Sequence, residues 1–67
     1  MSVARNTEIS ATSTESFDDA IRKGISRATK TLRNVRQAWI KEQEVELKNG
    51  EIATYKVLMV VTFVLDD

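Results

Sequence analysis

The chain has 67 residues, with no cysteine, no histidine and no proline, and ten basic residues balance ten acidic ones. That length holds a single domain, residues 1–67, and a chain so short buries only about 60% of its surface by folding alone. The composition excludes disulfides and any zinc or haem site built on Cys or His, and zero net charge gives no global pull toward nucleic acid or an anionic membrane, which leaves oligomerisation as the way to gain stability.

At the N-terminus, Arg5 and Asn6 stand where an export signal needs an apolar core. A cytoplasmic protein is expected, and the lack of cysteine suits a reducing compartment. From Val3 to Ser10, Val3, Arg5, Thr7 and Ile9 alternate with Ala4, Asn6, Glu8 and Ser10, and neither set is strongly apolar. This reads as an edge strand, where polar side chains discourage unwanted pairing, with a flexible arm as the alternative.

Thr12-Ser13-Thr14-Glu15-Ser16 marks a helix start. Both Thr12-x-x-Glu15 and Ser16-x-x-Asp19 have the capping-box spacing, and Glu15, Asp18 and Asp19 place negative charge at the favourable end of the helix dipole. Phe17, Ala20, Ile21, Gly24, Ile25, Ala28, Leu32 and Val35 then recur at spacings of three and four, which predicts one apolar stripe on a helix of about five turns. Gly24 lies within the stripe, where a missing side chain would let the helix approach a strand closely, at a cost of up to about 1 kcal/mol in helix propensity.

Gln37 to Lys48 predicts a long second strand whose pattern changes halfway. Ala38 and Ile40 are followed on the same alternation by Glu42, Glu44 and Glu46, while Trp39, Lys41 and Gln43 precede Val45 and Leu47. A strand whose apolar face switches is usually bent or bulged. Next comes Asn49-Gly50, the dipeptide best suited to the positive φ angles of a two-residue type I′ turn. In the third strand Ala53, Tyr55, Val57, Met59, Val61, Phe63 and Leu65 share one face, and Leu58, Val60 and Val64 make much of the other face apolar too. Val57 to Leu65 is the longest apolar run, far short of the ~20 residues of a membrane helix.

These elements predict an α+β fold, a β-α-β-β protomer with a three-stranded antiparallel sheet in the order 1-3-2 around one helix. The crossover makes strands 1 and 2 parallel, so placing strand 3 between them makes every pairing antiparallel and centres the most apolar strand. The helix covers one face, and the other is left for a neighbouring subunit.

Catalysis is not expected, because no spacing presents a nucleophile beside a base. Glu42, Glu44 and Glu46 are the sharpest constellation: at i, i+2 and i+4 of a strand they share a face and could bind Ca²⁺ or Mg²⁺, or form a solvated face balanced by Lys41 and Lys48. Lys23, Arg27 and Lys30 could form a basic stripe, but the balancing acids and a single strand-borne Trp argue against nucleic acid. Trp39 and Tyr55 could stack on a planar ligand, although aromatic residues in strands more often serve a core or an interface.

Thr12-Ser13-x-Glu15-Ser16, Asp19-Ala20-Ile21, Arg27-Ala28, Thr31-Leu32-Arg33-Asn34-Val35, Asn49-Gly50, Thr54-Tyr55 and Phe63-x-Leu65-Asp66 together resemble the dodecins, in one register over nearly the whole chain. The resemblance implies a homododecamer, a hollow shell of cubic symmetry that binds and stores flavins such as riboflavin or FMN. It also implies two ligand-binding positions. A tryptophan that stacks on the flavin ring corresponds to Gln37, two residues before Trp39, and a glutamine that hydrogen-bonds the flavin's polar edge corresponds to Lys56. With both changed, weak or absent flavin binding is expected. Val35-Arg36-x-Ala38 followed by Glu42-Gln43-Glu44 resembles the branch called calcium dodecin, which brings the cation reading of the glutamates forward.

Overall fold

In the computed structural model, which describes residues 3–65, four elements follow one another: β1 (Ala4–Ser13), α1 (Phe17–Thr31), β2 (Val35–Lys48) and β3 (Glu51–Val64). The strands form one antiparallel sheet in the order β1-β3-β2, and α1 lies across one of its faces. This is the β-α-β-β protomer expected from the sequence. The hairpin closes at Asn49 and Gly50, with φ of 55° and 81°, the left-handed pair a type I′ turn requires.

The helix begins where the second of the two candidate caps lies. Ser16 is the N-cap, and its Oγ accepts the Asp19 backbone N–H at 2.9 Å. Thr12 belongs instead to β1, opposite Lys56. Ser13, 5% exposed, ties strand to helix: its Oγ accepts the N–H groups of Glu15 and Ser16 at 2.9 and 3.4 Å and donates to Asp19 Oδ2 at 2.6 Å. That hydroxyl, and Lys23 at 2.9 Å, hold the Asp19 carboxyl below its usual range.

The helix ends earlier than its apolar stripe. Leu32 is the C-cap, its N–H bonding the Ala28 carbonyl at 2.9 Å, and Asn34 takes a positive φ of 60°. Val35 is therefore the first residue of β2, opposite Phe63, and only continues the helical spacing by coincidence. The remaining boundaries also shift: β1 runs to Ser13 rather than Ser10, and β2 starts two residues before Gln37.

Val57, Met59 and Val61 on β3 are fully buried, and Val57 and Met59 cluster with Ala20 and its helical neighbours. Gly24 allows this contact. A Cβ there would sit 2.7 Å from Met59 Cε and 3.1 Å from Ala11 Cβ, so a side chain at this position would have to displace the methionine methyl and press on Ala11.

Bulges explain the changing pattern of β2. Val35 and Gln37 pair with Phe63 and Thr62, and Ile40 and Glu42 with Met59 and Leu58, so Arg36 and Lys41 are extra residues. Ala38 and Ile40 lie opposite Val61 and Met59, on the helix side. Past Lys41 the alternation reverses, and Glu42, Glu44 and Glu46 fall on the far face beside Leu58, Lys56 and Thr54. Trp39, opposite Val60, shares that face.

The far face is only partly open. Val60 is 7% exposed although no element lies over it. Its cross-strand neighbours are Glu8 and Trp39, and Lys41 Nζ reaches from β2 to Glu8 Oε2 of β1 at 2.7 Å, spanning the central strand. Leu58 and Val64 stay half-buried. Among the described residues, no helix is long and apolar enough to cross a membrane.

Candidate functional site

The sheet face turned away from α1 collects the side chains on which a binding function would rest. β2 supplies Gln37, Trp39, Glu42, Glu44 and Glu46; β3 supplies Thr62, Val60, Leu58, Lys56 and Thr54 opposite them. Strand periodicity alone puts them there, once the Lys41 bulge has brought the glutamates to the side of the tryptophan.

Gln37 and Trp39 remain separate positions. Gln37 pairs with Thr62 and Trp39 with Val60, so they stand two cross-strand steps apart, roughly 6.6–6.8 Å along the strand. The bulge at Arg36 precedes both and does not slide one into the place of the other. Trp39 is 48% exposed, not packed away, with its ring available at the surface. Tyr55, by contrast, belongs to the core side, where it meets the Phe17 ring edge-on at 5.1 Å.

Lys56 is engaged. Its Nζ lies 3.1 Å from Glu44 Oε1, and the two line a hollow of about 80 Å³ with Ser10, Glu42 and Leu58. Ligand pockets for cofactor-sized molecules run to roughly 300–1,000 Å³. A planar multi-ring ligand on this face therefore needs a second wall that one protomer does not supply.

The glutamate ladder is on one face as its spacing requires, but its carboxylates do not converge. Among the described residues no group of three or more acidic side chains is placed to hold a metal ion. Glu44 is already neutralised by Lys56.

Two features of this face were not apparent in the sequence. The Glu8–Lys41 pair runs beside Val60, and the Glu8 carboxylate holds the Lys41 ammonium above its ordinary pKa. Asn6 Oδ1 accepts a hydrogen bond from Thr62 Oγ1 at 2.8 Å, so a polar row of Asn6, Thr62 and Gln37 crosses all three strands. The even positions of β1 carry both, but their partners follow only from strand register.

A three-stranded antiparallel sheet covers one helix and leaves its other face partly open, with Trp39 exposed on it. The family is shown by comparison: residues 3–66 match the Dodecin family, and the chain belongs to it. Solved structures agree. The dodecin of Streptomyces davaonensis is 42% identical, with 98% of this chain and 97% of that chain aligned at a TM-score of 0.93. A variant of the Thermus thermophilus dodecin is 30% identical over all of both chains, with a TM-score of 0.94. Streptomyces coelicolor dodecin is 27% identical over 98% of this chain and 94% of that chain, with a TM-score of 0.93. No curated protein sequence matches the chain.

Proposed function

We propose that this chain assembles into a homododecameric shell that binds or stores a small ligand without transforming it, and that its affinity for flavin is low. Family membership supports the assembly and the flavin-like ligand class. What supports the low affinity is that Gln37 and Lys56, which the resemblance sets at the stacking and edge-bonding positions, lie on the far sheet face, and that Lys56 is already paired with Glu44. A non-enzymatic role rests on a composition without His or Cys and on the absence of a nucleophile–base spacing. A cytoplasmic setting follows the same sequence reading.

Titrating the protein into riboflavin or FMN while following flavin fluorescence tests the ligand reading. The expected result is shallow quenching that does not saturate at micromolar protein. Strong, saturable quenching at submicromolar concentration would restore ordinary flavin storage.

The calcium-dodecin resemblance keeps a divalent cation as the alternative, with Glu42, Glu44 and Glu46 as its ligands. Within one protomer these carboxylates stay apart, so a site would need acids from adjoining copies. Calorimetry with Ca²⁺ and Mg²⁺ on the assembled protein and on Glu44→Gln is expected to give no binding heat from either. A saturable signal lost in Glu44→Gln would establish the cation reading instead.

A further inference from the structure

The zero net charge of the chain conceals a separation of its charges. Seven of the ten basic residues and none of the ten acidic ones fall between Ala20 and Lys41, the stretch that forms most of α1 and the first half of β2. The sheet keeps the two signs apart. Glu8, Glu42, Glu44 and Glu46 lie on its far face, whereas Arg22, Lys23, Arg27 and Lys30 stand exposed on α1, which covers the other. Glu15, Asp18 and Asp19 are confined to the start of the helix.

Compensation of the helix dipole does not account for these cations. Only Lys30 lies in the last turn of α1, and the dipole acts within that turn. Lys23 has the Asp19 carboxylate at 2.9 Å, but Arg22, Arg27 and Lys30 form no ion pair among the described residues. The bulge at the start of β2 adds a fourth free cation. Arg36 is the residue left over between Val35 and Gln37; it is exposed, and it lines one hollow with Thr29 of the helix. At 3.6 residues per turn, Lys23, Arg27 and Lys30 share one flank of α1. Arg22 and Thr29, with Arg36 beside the latter, lie on the other side of Ser26. Cations thus stand on both sides of a low ridge whose crest is a small hydroxyl side chain.

We propose that this helix face binds the phosphate backbone of double-stranded nucleic acid without reading its bases. Rows of phosphates are the counterpart of fixed cations on a narrow ridge, and their neutralisation releases condensed counterions. Three observations favour a duplex over other polyanions. No aromatic residue occurs from Ala20 to Arg36, so nothing here stacks on unpaired bases. The exposed side chains of the face, Arg22, Lys23, Ser26, Arg27, Thr29 and Lys30, are all polar, so none enters a lipid layer. A flexible polyphosphate must be ordered when it binds, whereas the phosphates of a duplex are already held in rows. The balance of charge over the whole chain, which argues against nucleic acid, averages two faces that a partner meets one at a time. This face is distinct from the far sheet face, so its binding is independent of the flavin and cation readings.

Fluorescence anisotropy of a labelled mixed-sequence DNA duplex, titrated with the full-length protein over a salt series, tests the assignment. Each neutralised phosphate contributes about −0.9 to the slope of log affinity against log salt, so the four free cations predict a loss of roughly 100-fold between about 50 and 200 mM. Arg22→Gln, Lys30→Gln and Arg36→Gln are each expected to weaken binding and to flatten that slope by roughly one unit, equally on AT-rich and GC-rich duplexes. Lys48→Gln removes the same charge at the hairpin and is expected to leave affinity and slope unchanged. Equal losses in Lys48→Gln and Arg22→Gln would mean general attraction to a charged particle and would overturn the proposal. Absence of duplex binding at low salt would overturn it too. So would tighter binding to single-stranded DNA, inorganic polyphosphate or phosphatidylglycerol vesicles than to the duplex.

Discussion

Replacing Met59 by alanine is expected to lower stability by about 3–5 kcal/mol, a large part of what a domain of this size possesses. Met59 is fully buried on the central strand and packs beneath Gly24, where an added Cβ would come within 2.7 Å of its Cε. Large-to-small changes cost least where the surroundings can collapse into the hole. Collapse is blocked here, since the Gly24 backbone already stands so close to Ala11 that an added Cβ would lie 3.1 Å from the Ala11 methyl. A compensating change follows from the same geometry. In the Met59→Ala background, Gly24→Ala no longer meets the methionine methyl and is left with the 3.1 Å approach to the Ala11 methyl, so it is expected to cost less than in the wild type, where it meets both. Urea denaturation of the four proteins at one fixed concentration measures the cycle. Additive effects of the two substitutions would contradict the packing described.

Giving positions 37 and 56 the tryptophan and glutamine that the dodecin resemblance sets there is expected to raise flavin affinity. Gln37→Trp places an indole on the far sheet face opposite Thr62, and Lys56→Gln removes the cation paired with Glu44 and supplies a neutral donor and acceptor. Stacking of a planar heterocycle on an aromatic side chain contributes about 1–3 kcal/mol, or roughly 5- to 150-fold in affinity. Most of the gain is expected from Gln37→Trp, with Lys56→Gln alone changing little because stacking supplies the larger share. Fluorescence titration of the two single variants and the double variant resolves the contributions. Unchanged flavin binding in the double variant would mean that another feature of the face sets the ligand.

Much of this architecture was legible because local signals agreed with the tertiary demand. Asn49-Gly50 announces a turn that needs two positive φ angles, and the alternation through Val57, Met59 and Val61 marks the strand that ends up central and buried. The candidate caps at Thr12 and Ser16 lie near the helix start, but which of them caps depends on where β1 ends, and that is set by the pairing of Ser13 with Tyr55. Val35 misled for a simple reason. It falls three residues after Leu32, so helical spacing continues into it, while the left-handed Asn34 between them turns the chain. The pattern switch in β2 signalled a bulge without locating it. Lys41 as the extra residue explains why Trp39 and the glutamates share a face despite their opposite parity in the sequence.

The candidate site was less legible, and its geometry shows why. Gln37, Lys56 and the three glutamates do share one face, yet what that face does depends on partners distant in sequence. Glu8 meets Lys41 and Asn6 meets Thr62 through the register of β1 on β3, which no local pattern encodes. The hollow beside Lys56 is too small for a multi-ring ligand, so a site for one on this face would need a wall from another copy.

Assembly is the claim on which the rest depends, and native mass tests it most directly. Sedimentation or light scattering of the purified protein at micromolar concentration is expected to show one species, a dodecamer of 7.6 kDa chains. A monomer or dimer persisting under those conditions would contradict the account, because the exposed apolar side chains of Trp39, Leu47 and Ile52 would then have no partner.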